Sequence, residues 1–305
     1  NKDNGASYEP LPPSAFKLAD AEGNELSASE GIRVPAGDFS AKIMVKVGQL
    51  NSKDFPDSKK YAIPLSITGA SNYSLIPSQR SAILLLNRSI LSSVAKVSGG
   101  EGIRIKPVGM HTKAEWTIQM SAIYSSLTRS NLTTAYLSNG TGGAFYTRIS
   151  STAGIQVKNG RDGDDTWTQI PLQAGKWLHI TYVHKDKKTT VYVNGKVQKV
   201  FENSAITFGE NSMIVVGNSG YRNDYLREIR LWDKALTESE INDYLYLPMD
   251  PATPHLISYL PLSKEMETKD LKAPAGTENV TTKARIEYVE NVKFPADELV
   301  IVNQE

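Results

Sequence analysis

The stretch that most constrains the fold is residues 175–200, GKWLHITYVHKDKKTTVYVNGKVQKV. Residues 177–184 and 189–193 are rich in β-branched and aromatic side chains at the two-residue period of a half-buried strand, and the charged run Lys185-Asp186-Lys187-Lys188 separates them. Asn194-Gly195 then divides Val191-Tyr192-Val193 from Lys196-Val197-Gln198, and Asn-Gly supplies the two positive-φ positions that a type I′ turn needs. Three successive antiparallel strands are the result. A meander of this kind cannot bury both faces alone, so the domain around it must supply a second β layer.

The rest of the chain reads as short strands with turns between them. Pro10, Pro12 and Pro13 make residues 1–14 an extended lead-in, and strands at 15–18, 32–34, 39–47, 61–67 and 82–86 give a small β-sandwich over residues 1–88. Ser89-Ile90-Leu91-Ser92-Ser93 and Ser98-Gly99-Gly100 read as a linker over residues 89–101. A second domain then spans 102–305, with strands at 103–105, 116–122, 133–138, 144–149, 155–157, 213–217 and 226–232 besides the meander, and late strands at 255–262 and 284–289. One short helix is expected, because Thr237-Glu238-Ser239-Glu240 is a capping box, Ile241, Tyr244 and Leu245 give an apolar face, and Pro248 stops it. The fold class is therefore all-β, as two consecutive sandwiches.

Composition excludes several functions. The chain has no cysteine, which removes disulfides and thiolate metal sites, and its formal charge of +1 gives no basic surface for a nucleic-acid partner. No run of 18 apolar residues is present to span a bilayer as a helix. The polar start Asn1-Lys2-Asp3-Asn4-Gly5 reads as the product of processing or of trimming.

Catalytic and metal motifs are weak. Glycosidases need two carboxylates roughly 5–9.5 Å apart across the scissile bond, and the nearest string, Glu265-Met266-Glu267-Thr268-Lys269-Asp270, lies in a polar, Lys-containing segment that reads as a solvated loop. Asp162-Gly163-Asp164-Asp165 offers hard oxygens of the kind calcium takes but lacks the EF-hand pattern, so a polar turn is the plainer reading and calcium there stays open. His111, His179, His184 and His255 show no zinc spacing, and Gly217-Asn218-Ser219-Gly220 fails the nucleophile elbow. No catalytic residue, metal or cofactor is assigned.

A recognition site is the better fit. Sugars stack their C–H faces on aromatic rings while amide, carboxylate and guanidinium groups bond the hydroxyls. The segment Asn218, Tyr221, Arg222, Asn223, Asp224 and Tyr225 has that composition on what reads as a loop, and Trp167 joins it if the two loops share a sandwich edge.

Four motifs in order resemble a LamG-type, concanavalin A-like jelly roll: Trp177-Leu178-His179-Ile180-Thr181-Tyr182, Val191-Tyr192-Val193-Asn194-Gly195-Lys196, Ile214-Val215-Val216-Gly217, and Glu228-Ile229-Arg230-Leu231-Trp232 running into the capping box. The first domain, through Val34-Pro35-Ala36-Gly37-Asp38 and Tyr61-Ala62-Ile63-Pro64-Leu65, is similar to the Ig-like domain that precedes LamG or glycosidase domains in Bacteroidetes surface lipoproteins. The resemblance implies an Ig-like sandwich followed by a jelly roll. It also implies a non-catalytic cell-surface or outer-membrane protein, held by a lipid anchor upstream of Asn1, that binds a polysaccharide or glycoprotein glycan. Protein adhesion with other surface proteins as partners, or a glycosidase of the same fold, are the alternatives. One departure is that Arg227-Glu228 stands where many LamG sequences have Asp-Glu.

Overall fold

A computed structural model describes residues 8–27, 31–109, 113–128, 132–138, 145–158, 164–202, 205–209, 211–217 and 221–303. The chain divides into two compact units, residues 1–88 and 89–305.

In the first unit, β1 (Tyr8–Pro10), β4 (Lys60–Ser66) and β5 (Ser81–Leu85) form a three-stranded sheet in the order β1–β4–β5, and β2 (Phe16–Ala19) pairs with β3 (Met44–Val47). Leu11, Tyr61 and Ile63 make its core, with Phe16, Val45, Phe55 and Leu65 packed on them. The strand expected at 32–34 is absent and the one expected at 39–47 keeps only its last four residues. Val34 and Phe39 lie at the surface, so alternation there has no buried face to serve.

The second unit is a two-sheet sandwich. Its strands are β6 (Ile90–Gly99), β7 (Ile103–Ile105), β8 (Trp116–Ile123), β9 (Thr133–Ser138), β10 (Tyr146–Ser150), β11 (Gly154–Lys158), β12 (Leu178–Lys185), β13 (Lys188–Val193), β14 (Lys196–Glu202), β15 (Met213–Val216), β16 (Tyr221–Trp232), β17 (Leu256–Leu260), β18 (Val280–Thr281) and β19 (Arg285–Phe294). One sheet runs β11–β10–β9–β15–β7–β18, and the larger runs β14–β13–β12–β8–β16–β6–β19 with β17 also on β16. Inward side chains of both sheets, among them Trp116, Ile118, Ile180, Tyr182, Ala135, Ile149, Ile155, Ile214 and Leu231, form one apolar core. The meander is β12–β14, and Asn194 takes the positive φ of 50° that its turn demands.

Two expectations are corrected. Residues 89–101 are no linker, because Ile90–Gly99 is a ten-residue strand between β16 and β19. Both of its faces are covered: Ala95 and Val97 face the sandwich core, Ile90 and Val94 a separate outer cluster. The strand ending in Trp232 begins at Tyr221, not at 226, so most of the segment read as a loop is β structure. A bulge disguised it: the register slips between Arg222 and Asp224 around Asn223, whose φ is 60°.

The helix α1 (Glu238–Asp243) forms as expected, with Thr237 and Glu240 bonding each other's backbone N–H groups.

Candidate functional site

The two sheets differ on the faces turned away from the core. On the larger sheet a second bulge decides the arrangement: Arg227 pairs with Ser121 and Arg230 with Gln119, so β16 spends one extra residue around Glu228, whose φ is 54°. Arg227 and Arg230 therefore both point outward, where regular alternation would have turned one into the apolar core. Glu228 Oε2 accepts from Arg230 Nε at 3.1 Å and Nη2 at 2.6 Å, and the Tyr259 hydroxyl donates to Oε1 at 3.0 Å. The guanidinium groups also donate to the carbonyls of Tyr244, Tyr246 and Leu247, tying the segment after α1 over the sheet. Apolar clusters around Trp232, Ile241 and Tyr259 and around Trp177, Val292 and Phe294 complete the cover.

This face is a structural seal. Beside it, His179 bonds Ser121 Oγ at 2.6 Å, and burial, then Arg227 and Arg230, push its pKa down to about 3. Burial raises the Tyr259 phenol, with Glu228 adding to the effect. On the core side, His184 accepts from Ile206 N–H through Nε2 at 3.1 Å, so its proton sits on Nδ1, facing Thr189 Oγ1 at 3.0 Å. Burial holds that ring neutral, with a pKa of about 4.

No hydrophobic cluster builds on the outer face of the smaller sheet among the described residues. Tyr136 and Tyr146 are cross-strand partners with ring centroids 6.0 Å apart, and the Arg148 guanidinium lies 5.3 Å from the Tyr146 ring. At that edge, a cleft of about 260 Å³ is lined by Leu127, Thr128, Leu132, Arg148, Ile149, Ser150, Ser151 and Trp167. Leu127, Leu132 and Ile149 are core residues that floor it. Trp167 is half-buried and is bridged to Gln156, and Lys199 Nζ holds the loop by donating to the carbonyls of Asp165 and Trp167. Gln156 is the cross-strand partner of Arg148 and only 3% exposed, and with its amide donating to Thr166 Oγ1 its Oε1 has no donor. Arg148 Nε likewise has no acceptor. Both atoms are buried, and Gln156 is not among the residues that line the cleft.

Residues 98–242 match the family model of the concanavalin A-like lectin/glucanases superfamily, Laminin_G_3. The second unit belongs to that superfamily. Residues 1–74 match a second model, described as an N-terminal domain. Among solved structures, a candidate carbohydrate binding protein from Bacteroides ovatus aligns with 96% of this chain and 83% of its own at 18% identity and a TM-score of 0.57, a likeness of fold. The heptameric SAP-like pentraxin of Limulus polyphemus aligns with 66% of this chain and 94% of its own at 13% identity and a TM-score of 0.38. Domain 4 of the Geobacillus stearothermophilus arabinanase AbnA, in complex with arabinotriose, aligns with 60% and 86% at 14% identity and a TM-score of 0.35. No curated protein matches the chain.

Within the LamG-type unit, the residues singled out from sequence are dispersed. Trp167 lines the cleft. Asn218 lies outside the described residues, as does the Asp162-Gly163 part of the acidic loop, and Tyr221 opens β16. Arg222 and Asn223 are exposed, whereas Asp224 is fully buried and its Oδ1 accepts from the N–H and hydroxyl of Ser125 at 2.7 and 2.9 Å. Asp224 therefore fastens the loop that carries Leu127 and Thr128 into the cleft. Tyr225 packs on the outer cluster of the larger sheet, so it does not meet Trp167. Asp270, read as part of a solvated loop, is buried and accepts from Ser258, Tyr259 N–H, Lys272 N–H and Asn279. Sequence reading missed Tyr146, Arg148 and Gln156; the alternation Tyr146-x-Arg148-x-Ser150 was the signal available.

Proposed function

We propose that the LamG-type unit binds carbohydrate, without catalysis, at the cleft between Trp167 and Arg148. The carrying observation is the lining itself: an indole, a guanidinium and the hydroxyls of Thr128, Ser150 and Ser151 on a floor of core aliphatics, which is the mix of apolar platform and few polar groups that a sugar site uses. The likeness in fold to the Bacteroides ovatus protein agrees with this reading. None of the eight described lining residues is Asp or Glu, the pair of groups that two-carboxylate hydrolysis uses. On the same reading the protein works at the cell surface, lipid-anchored to the outer membrane and presenting this unit to extracellular glycan. Affinity electrophoresis through gels containing single polysaccharides tests it: retardation of the wild type by at least one glycan, lost in Trp167→Ala, is expected, and migration unchanged by every polysaccharide refutes it.

A second reading, protein adhesion, rests on the first unit. β5 is an edge strand whose residues are exposed along its whole length, Ile83 at 56% and Leu85 at 59%, and such an edge is a template for another chain. A pull-down partner lost in Ile83→Lys would support it.

A further inference from the structure

We infer that the glycan taken by the cleft is acidic, its carboxylate or sulfate seated on Arg148; this rests on the carbohydrate reading above and adds the substrate class. The argument is one of donor and acceptor supply. A site built for neutral sugars presents carboxylates and amides to accept from the many hydroxyl donors of its ligand. The cleft presents the reverse. Among the described residues its only charged lining residue is Arg148, and the three strands that form this end of the sheet, Thr133–Ser138, Tyr146–Ser150 and Gly154–Lys158, contain no Asp or Glu while carrying Arg148 and Lys158. The nearest acids along the chain, Asp164 and Asp165, precede Trp167, and Asp165 is exposed.

Arg148 is also poised. Its guanidinium lies 5.3 Å from the Tyr146 ring, and the side chain is half-buried in the cleft wall. A planar oxyanion is the acceptor that matches a guanidinium fork, since two parallel N–H···O bonds are made at once. A ring bearing an anionic group seats that group on Arg148, with Trp167 as the apolar wall.

Isothermal titration of the full chain against matched pairs tests this: oligogalacturonate and its methyl ester, sialyllactose and lactose, dextran sulfate and dextran. The first two pairs probe carboxylates, ring-borne and exocyclic, and the third a sulfate. At least one acidic member should bind roughly 10- to 100-fold more tightly than its neutral counterpart, the size of a charge-assisted pair. Arg148→Gln should erase that preference and Arg148→Lys should keep only part of it, with melting temperatures showing both variants folded; should Arg148→Gln not fold, Arg148→Lys carries the comparison. Equal affinity within every pair, or a preference that survives Arg148→Gln, overturns the acidic assignment while leaving the carbohydrate reading standing. Absence of binding to all six probes overturns both.

Discussion

The outer faces of the two sheets in the second unit receive opposite treatment. The larger sheet carries a salt-bridged polar row that is then closed over by α1 and the segment after it. The smaller sheet carries two tyrosines, Arg148 and Trp167 at half-buried positions, with no apolar cluster on top among the described residues. Polarity therefore marks different things on the two faces. Arg227, 1% exposed, donates to the Tyr246 carbonyl through Nη1 and lies 3.7 Å from Glu228 Oε1, with Nε and Nη2 unmatched, so it is buried under the segment that it ties down. Arg148 instead stands half-buried in the wall of a cleft, where a ligand can meet its guanidinium.

Substitutions on the sealed face should therefore cost stability, and those in the cleft should cost binding. Removing Glu228 strands two buried guanidinium groups, so Glu228→Ala should destabilise by about 3–5 kcal/mol. A urea midpoint showing a loss below about 1 kcal/mol would break the idea that this pair network holds the lid.

Acid should unsettle the same unit through its buried imidazoles, by a total over the acid range that exceeds the cost of any single substitution. The folded-state values of His179, about 3, and His184, about 4, lie below the ordinary 6.5, so under pH 6.5 the unfolded chain takes up protons that the folded chain refuses. Stability present above pH 6.5 is lost as the pH falls, by about 1.4 kcal/mol per pH unit for each ring, until each folded-state value is reached. Denaturation midpoints from pH 7 to 4 should show that slope, and His184→Asn should roughly halve it. A flat profile would mean that neither ring is held neutral.

Thr237→Ala removes one half of the capping box and should cost about 1 kcal/mol by thermal melting, without touching glycan affinity. The smallest stability effect belongs to the cleft. Trp167→Ala should move stability by no more than about 0.5 kcal/mol and yet abolish retention on glycan gels, the reverse of the Thr237→Ala result.

The meander was readable because each of its strands has a local signature: period-two alternation, a charged turn and Asn194-Gly195. The capping box was readable for the same reason. What escaped sequence reading was set by distant partners. Ser92, Ser93 and Ala95 look like linker residues, but Ser93 Oγ accepts from the N–H of Lys264, 171 positions away, and small side chains suit a strand covered on both faces. Asn223 and Glu228 sit in bulges that shift the alternation by one, so Asp224 looked like a loop ligand when it is a buried clamp, and Arg227 looked like a family departure when it is part of the seal. The site was half legible. Trp167 stood out as a large aromatic after an acidic loop, but its neighbours Arg148 and Gln156 come from strands whose outward face is decided only once the sheet order is known.

The most direct measurement of where ligand binds is hydrogen–deuterium exchange of the full chain with and without a polysaccharide that retains it. Binding at the cleft predicts slowed exchange in peptides covering residues 146–151 and 166–168, with 221–225 and 244–249 unchanged. Protection confined to 221–225 or 244–249, with 146–151 unaffected, would contradict the assignment of the smaller sheet's outer face as the binding surface.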